Sequence, residues 1–470
     1  MPADVLLAGF DVGTSSAKGG LFDLAGHLVA MAGSGYETYR PRPGWAEQDP
    51  EAWWRAVREV LNRLGAEADL GRVAGIGVCS QVNTHVAVDQ AGLSVGQAIV
   101  WQDQRCADIS RELDGRLTED DRMRLWGRPA SLDPSHLATR ALWMQRHRAR
   151  DWERTRWLLS PKDYINLRLT GEVATDVISP VDMVGPDGKY IPGLLELVPG
   201  LGEVLPPLRA VRQALGRVTA TDAGLPSTCQ VVVATMDAWG NRYGSGVTQV
   251  GQAMEVAGTS EIIGLLSNMA VPTAGIVSFI PVDGLYFHAG PTQAGGDSLR
   301  WAAHATELPV VKAIREAGRA QAGSGGLIFL PYLSGERAPL WDPTAQGTLF
   351  GLQAGHGRPE LLRAVLEGVA YSARHLLEEM EVAAGRRAEV LRSSGGGSRS
   401  DLWCQIKADV LGRPIERVAV SESGVLGAAL LAGVGADLLP DLATAATAMV
   451  HIERIFEPDP AALGGYQELY

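Results

Sequence analysis

Val5-Leu-Leu-Ala-Gly-Phe10 is an apolar run that ends in Asp11-Val-Gly-Thr-Ser-Ser-Ala-Lys18, a small polar turn. Gly20-Leu-Phe-Asp23 resumes in the style of a strand, and His27 to Ala32 adds a third. The chain therefore opens as strand, turn, returning strand. Asp49-Pro50 then starts a helix over Glu51 to Leu64, with Asp49 as N-cap and Pro50 at the first helical position. Its apolar residues Trp54, Val57, Val60, Leu61 and Leu64 follow the helical period. Val73 to Cys79 is another short buried strand, followed by Ser80-Gln81-Val-Asn83.

The second half repeats this plan. Ala253 to Ala257 reads as a strand, Gly258-Thr-Ser260 as a turn and Glu261 to Leu266 as a returning strand. Val390 to Ser394 leads into Gly395-Gly-Gly-Ser398 as Val73 to Val78 leads into Ser80-Gln81. Two βββαβα-like units predict two related α/β lobes, divided near Val247 to Gln252. Between them, residues 108–169 read as mostly helical, anchored by Trp126, Trp143, Trp152 and Trp157. Asp176 to Leu208 is loop-rich and carries Pro180, Pro186, Pro192, Pro199, Pro206 and Pro207. Val231 to Ala234 is a strand that ends at Thr235-Met-Asp237.

Composition narrows the function classes. The chain has 470 residues, 46% hydrophobic and 20% charged, which suits two or three globular domains and excludes disorder as the main state. Its 56 glycines follow no collagen-like period and point to tight turns and close backbone approaches. A net charge of -12 without a Lys/Arg block argues against a nucleic-acid partner. Cys79, Cys106, Cys229 and Cys404 form no C-x-x-C pair, as expected in a reducing cytosol. The N-terminal stretch has no basic segment of a signal peptide, and the longest apolar run, Gly424 to Ala436, is shorter than a membrane span. The expectation is a soluble cytoplasmic protein with no membrane partner.

None of the lysines is followed by Ser or Thr, so there is no P-loop; H-E-x-x-H and G-x-S-x-G are also absent. Three small-residue turns follow apolar strands: Asp11 to Lys18, Gly258 to Ser260 and Gly395 to Ser398. Glycine admits a ligand close to the backbone, and hydroxyls with free N–H groups suit phosphate oxygens. Each turn alone equally suits a plain hairpin. Three at corresponding places suggest a cleft between the lobes that takes a nucleotide's phosphates. Asp11 and Asp237 end strands beside such turns. Each is either a turn or cap residue, or a carboxylate for hydrated Mg²⁺ or for a substrate hydroxyl proton.

These residues resemble the FGGY carbohydrate kinase family, of the actin/hexokinase-like superfamily, and most closely its xylulokinase branch. The most specific stretch is Gly347-Thr-Leu-Phe-Gly-Leu352 with Glu360-Leu-Leu-Arg-Ala-Val-Leu-Glu367, which satisfies the family's C-terminal signature at every position. Phe329 to Pro343, Ser160 to Glu172 and Ala98-Ile-Val-Trp-Gln-Asp-Gln-Arg105 look like the xylulokinase versions of those segments. Gly395 to Trp403 matches the family's adenosine loop and Glu422 to Ala429 its following helix.

The resemblance implies two actin-like (ribonuclease H-like) lobes with mixed sheets flanked by helices, 1–247 and 248–470, and an ATP cleft between them. It also implies an ATP- and Mg²⁺-dependent kinase of a sugar or polyol, D-xylulose first, and it allows a homodimer. Asp11 would contact the metal, with Gly13, Thr14, Ser15 and Lys18 near the β/γ-phosphates. Gly258, Thr259 and Ser260 form the second phosphate motif. Gly395, Gly396 and Gly397 approach the nucleotide. Asp237 aligns with the catalytic base and also stands near the metal. Gln81, Asn83, His85, Trp101 and Asp103 would meet the sugar in the N-terminal lobe. The C-terminal tail beyond Gly435 is expected to pack back as helix.

The departures lie on the sugar side. Gln81-Val-Asn-Thr-His85 stands where Met-His-Gly usually follows the glutamine, Trp239 is bulky, and Arg140 replaces a lysine. His85 either binds sugar or packs in the core. Trp239 either stacks on a sugar face or fills the core. The alternatives to D-xylulose are ribulose, arabinitol, erythritol or glycerol as acceptor, and a non-catalytic sugar-responsive binding protein. Retention of both Asp11 and Asp237 argues against the last.

Overall fold

The structure, a computed structural model, describes residues 5–470; Met1 to Asp4, the start of the segment read as lacking a leader, lie outside the described residues. The strands β1 (Leu6–Val12), β2 (Ser16–Phe22) and β3 (Leu28–Gly35) form an antiparallel meander. Helix α1 (Pro50–Glu67) begins as the sequence predicts, with the Asp49 side chain accepting from the Glu51 N–H. It buries Trp53, Trp54, Val57, Val60, Leu61 and Leu64. Each such side chain contributes about 1.5–3 kcal/mol when fully buried.

The chain divides into two compact units, residues 1–244 with 424–449, and residues 245–423 with 450–470. The first contains a six-stranded mixed sheet in the order Ala214–Arg217, Gln230–Val232, Val73–Ser80, β1, β2, β3. The second contains a seven-stranded sheet in the order Val277–Ser278, Tyr286–Pro291, Glu261–Ser267, Gln252–Ala257, Val390–Ser394, Ile415–Val418, Ile452–Phe456. In each unit an antiparallel meander of three strands is followed by two strands parallel to the first of the three. The duplication expected from the sequence is thus present in the pairing pattern. The long helix Arg358–Ala384 supplies much of the second core through Leu362, Val365, Leu366, Val369, Leu376 and Met380.

Three expectations need correction. The units are not the contiguous halves 1–247 and 248–470, because residues 424–449 return to the first unit. The tail beyond Gly435 is only partly helical, since Ile452–Phe456 pairs with Ile415–Val418 as a sheet edge. Trp157 lies on the short strand Trp157–Leu159 rather than on a helix.

The apolar run read in the sequence forms the helix Ser423–Gly435. Its small residues let it lie unusually close to its neighbours. A Cβ on Gly9 would stand 1.9 Å from the Val425 carbonyl oxygen, one on Gly77 2.2 Å from that of Ala428, and one on Gly427 1.9 Å from that of Gly240. This helix is therefore a core element pressed against β1, the strand Val73–Ser80 and the helix Asp237–Gly244. No helix among the described residues is long and apolar enough to cross a membrane.

Overpacking of a tight core typically costs about 1–3 kcal/mol. Gly427→Ala is expected at or above the upper end of that range, because its clash is with backbone. A thermal melt should show the first unit's transition lowered by several degrees or more.

Candidate active site

Parallel register brings the candidate carboxylates to one edge. Asp11 of β1 pairs with Cys79, and the neighbouring Ser80 bridges to Met236, beside Asp237. Both lie at the carboxyl ends of parallel strands, where open α/β sheets commonly hold ligands. Burial, then the Asp11 charge, pushes the Cys79 thiol up, and Asp237 adds to the effect. Lys18 of β2 stands across from Asp11 in the antiparallel pair.

The first turn is held from several sides. The Gly13 N–H donates to the Ser16 carbonyl at 3.0 Å, and the Tyr36 hydroxyl donates to the Gly13 carbonyl at 2.5 Å. Burial first and the Asp11 charge second hold the Tyr36 phenol well above its ordinary range, so it remains a donor. Ser15 is exposed. The Trp101 indole N–H donates to the Thr14 hydroxyl at 3.0 Å, and the Trp101 backbone N–H donates to Thr84 Oγ1 at 3.1 Å.

Gln48 is fully buried and makes every hydrogen bond its amide allows. Its Nε2 donates to the Thr14 carbonyl at 2.6 Å and to Thr38 Oγ1 at 2.8 Å. Its Oε1 accepts from Trp53 Nε1 at 3.0 Å and from Gln81 Nε2 at 2.9 Å. An indole N–H can only donate, which fixes the Gln48 amide and, in turn, that of Gln81. Gln81 Oε1 is left buried and without a hydrogen-bond partner among the described residues.

Asn83 sits in the left-handed region at φ 50°, and its Nδ2 donates to Ser135 Oγ at 3.1 Å. His85 Nδ1 lies 3.0 Å from Arg140 Nη1. Arginine only donates, so Nδ1 accepts and the ring is neutral. Burial, then the Arg140 charge, then His136 hold the His85 imidazole well below its ordinary value.

Asp237 opens the helix Asp237–Gly244, and its carboxylate accepts the Ala238 N–H at 2.7 Å. Burial pushes its carboxyl up to about 6, the range in which a general base works near neutral pH. The approach to it is anchored. Ala234 is left-handed at φ 54°, and Thr235 Oγ1 donates to Asp176 Oδ1 at 3.1 Å. Asp176 and Asp163 together enclose Lys162 Nζ, at 3.0 and 2.6 Å, in a buried ion triad. Asn241 Nδ2 donates to the Asp237 carbonyl at 2.9 Å. A Cβ on Gly424 would stand 3.1 Å from Asp11 Oδ2 and 3.3 Å from Asn241 Oδ1, so these hard oxygens converge on one small space.

The second unit carries the other two turns. The Gly258 N–H donates to the Ser260 carbonyl at 3.0 Å. The N–H groups of Gly296 and Asp297 donate to the carbonyls of Gly258 at 2.9 Å and Thr259 at 3.0 Å. Arg337 Nη2 donates to Ser260 Oγ at 3.1 Å. Lys407 Nζ bridges Glu255 and Glu261 at 2.5 Å each, and Ser393 Oγ donates to Glu255 at 2.6 Å. That triad ties the strands around Gly258–Ser260 to the strand that leads into Gly395. Gly395 is left-handed at φ 84°, and a Cβ there would stand 2.7 Å from the Ala257 carbonyl oxygen. Around Gly396 nothing lies within 4 Å of where a Cβ would be, so its outer side is open.

Residues 6–240 match the N-terminal domain of the FGGY family of carbohydrate kinases, and residues 253–436 match its C-terminal domain. The chain belongs to that family. It is a carbohydrate kinase. The xylulose kinase of Escherichia coli K12 is 32% identical, over 98% of this chain and 96% of its own. A glycerol kinase of Citrifermentans bemidjiense is 30% identical, over 96% of this chain and 94% of its own. The crystal structure of xylulose kinase from Rhodospirillum rubrum, 30% identical, superposes with a TM-score of 0.87 over 99% of this chain and 96% of its own.

Within this kinase the residues expected at the acceptor do not share one role. Gln81, Asn83, His85 and Trp101 lie on segments joined by Gln48, Thr84 and Arg140. Asp103 does not fit as a sugar contact. It is 1% exposed, and its carboxylate accepts from the Ala46 and Arg105 N–H groups and twice from the Arg105 guanidinium. Those four bonds use the carboxylate's accepting capacity internally. Trp239 is fully buried, with Arg242 over its ring at 4.6 Å, and is a core residue. Sequence reasoning missed Gln48, Tyr36 and Gly296. Gln48 adjoins the recognised Asp49-Pro50 helix start, but nothing in its own neighbourhood marks it as buried.

Three expectations follow. Gly395→Ala forces a Cβ into a left-handed position against backbone and should lower the second unit's melting temperature. Gly396→Ala should leave that temperature unchanged and weaken nucleotide binding in a calorimetric titration. Ionised Asp237 should lower stability by roughly 3 kcal/mol at pH 8, at 1.36 kcal/mol for each pH unit its carboxyl is raised from 3.8 to about 6. The sign follows from linkage: this destabilisation is absent below the unfolded value and complete above the folded one. Asp237→Asn should therefore melt higher than wild type at pH 8 and lose that advantage by about pH 4.

Proposed function

We propose that this kinase transfers the γ-phosphoryl group of ATP to a terminal hydroxyl of a small ketose or polyol, with D-xylulose as the first acceptor. The observation that carries the reading is Asp237, a buried carboxyl raised to about 6 at a strand end beside Asp11. In the transfer the acceptor oxygen forms its bond to the γ-phosphorus as the bond to the ADP oxygen breaks. Asp237 takes the hydroxyl proton. Such reactions depend mainly on positioning and charge neutralisation.

The chain's other residues divide the remaining work. Gln81 Oε1, buried and unpartnered, accepts a hydrogen bond from an acceptor hydroxyl. Gly13, Thr14 and Ser15, with Lys18, meet the phosphates, as do Gly258, Thr259 and Ser260. Gly395, Gly396 and Gly397 take the nucleoside end. Asp11, with Asn241 beside it, presents hard oxygens that suit Mg²⁺, which commonly keeps several waters and uses one or two carboxylates plus phosphate oxygens. Among the described residues no group of three or more His, Cys, Asp or Glu forms a closed metal cage, in keeping with a metal that arrives with the nucleotide. Bound Mg²⁺ would neutralise charge on the phosphate oxygens.

A second acceptor class is favoured by the altered Gln81 to His85 segment and by the glycerol kinase at 30% identity. These are ribulose, arabinitol, erythritol and glycerol. The test is ADP release from Mg-ATP across pentuloses, pentitols, tetritols and glycerol, with Asp237→Ala as the blank. D-Xylulose should give the highest kcat/KM. With the best acceptor, kcat/KM should fall about tenfold for each pH unit below 6, as the base protonates. Turnover by Asp237→Ala near the wild-type rate would overturn the assignment of the base.

A further inference from the structure

Arg140 is 1% exposed on the helix Leu137–His147, and no carboxylate pairs with it among the described residues. Dipoles meet its charge directly, and the carboxylates of Asp103 and Asp133 act on it from farther off. Nη1 shares its two hydrogens among the carbonyls of Asn83 and Ile99, the latter at 2.7 Å, and His85 Nδ1 at 3.0 Å. Nη2 donates to the Val100 carbonyl at 2.7 Å. Nε is buried without a hydrogen-bond partner among the described residues. Burial brings the guanidinium down to about 10, so it stays charged at neutral pH.

A buried cation with no carboxylate in direct contact, only the more distant charges of Asp103 and Asp133, is costly, and natural structures rarely retain one without a reason. The groups it holds suggest the reason. Asn83 and His85 belong to the segment that departs from the usual sugar-side pattern, and Ile99 and Val100 lead directly into Trp101. Asn83 is also left-handed, a backbone state that surrounding contacts must maintain. A lysine offers its donors from a single atom, whereas the guanidinium fork reaches separate acceptors.

We propose that Arg140 is the positioning residue of the acceptor pocket, holding both lining segments by their carbonyls and fixing His85 as a neutral ring with its proton on Nε2. This rests on the reading that residues 81–85 and 99–101 line that pocket. The groups facing His85 are Arg140 and His136, with Ser160, Asp163 and Tyr190 lining the same small cavity. His136 is itself held below its ordinary value by burial. The ring therefore offers a hydrogen-bond donor on its Nε2 side throughout the working pH range, and selects for an oxygen there.

The test has two arms. With the best acceptor of the panel, Arg140→Met should raise acceptor KM about tenfold or more while KM for Mg-ATP moves less than about twofold, as expected for a misplaced pocket. Arg140→Lys should recover part of the loss. In the wild-type protein carrying ¹⁵N-histidine, His85 should keep an unprotonated Nδ1 and a protonated Nε2 from about pH 6 to 8.5. Unchanged acceptor KM in Arg140→Met, a parallel rise in both KM values, or a wild-type His85 that titrates near its ordinary value would each overturn the proposal. If Arg140→Met does not fold, Arg140→Lys and the wild-type spectrum decide. If no acceptor is phosphorylated by the wild type, the kinase reading of the pocket fails, and the spectrum still reports on Arg140.

Discussion

The buried amide of Gln48 is the constraint on which the first unit's site depends. It joins the Thr14 carbonyl, the Thr38 hydroxyl, the Trp53 indole and the Gln81 amide with four hydrogen bonds. Those groups come from the first turn, the segment after β3, helix α1 and the end of the strand Val73–Ser80. Every hydrogen bond of the Gln48 amide is made, so the loss of one member of this buried network leaves others unpaired at about 1–3 kcal/mol each. The turn that meets phosphates in this reading and the glutamine that meets the acceptor are thus set by one another. Trp101, bonded to Thr14 Oγ1, closes the same circuit from the other side.

The duplication extends to the two turns. Each unit has an antiparallel pair joined by a three-residue turn, Gly13–Ser15 in one and Gly258–Ser260 in the other. Both turns begin with a glycine N–H bonded back to a carbonyl two or three residues on. The supports differ. In the first unit side chains hold the turn, through Gln48, Tyr36 and Trp101. In the second, backbone amides of Gly296 and Asp297 hold it, with Arg337 on Ser260.

What could be read from the sequence was local. Strand-turn-strand patterns, the Asp49-Pro50 helix start and the paired order of elements all rest on neighbours in the chain. Asp11 and Asp237 were legible because each ends an apolar strand beside a turn. The misreadings were tertiary. Asp103 was expected to meet the sugar, yet Arg105 two residues later folds back on it and Ala46 caps it. Arg140 stood out as a departure where a lysine is usual, and its forked contacts are invisible until residues 83, 99 and 100 are brought together. The return of residues 424–449 to the first unit was hidden as well. A Gly/Ala-rich helix states that it packs closely but not against what.

Charge placement ties these observations together. Two of the chain's five lysines are buried, and each sits between two carboxylates. Removing one partner of such a group would strand a charge in a dry interior, at about 3–5 kcal/mol. Each triad therefore fixes the segment it touches: Lys162 fixes the approach to Asp237, and Lys407 fixes the strands around Gly258–Ser260. Because Lys162 is neutralised by Asp163 and Asp176, it does not pull the base down. Burial is the leading influence on Asp237, opposed only by backbone hydrogen bonds. The base is tuned by the absence of water rather than by a neighbouring charge. That arrangement gives Asp237 a proton-accepting value near neutral pH at the edge of the sheet that carries Asp11 on β1 and Lys18 on β2.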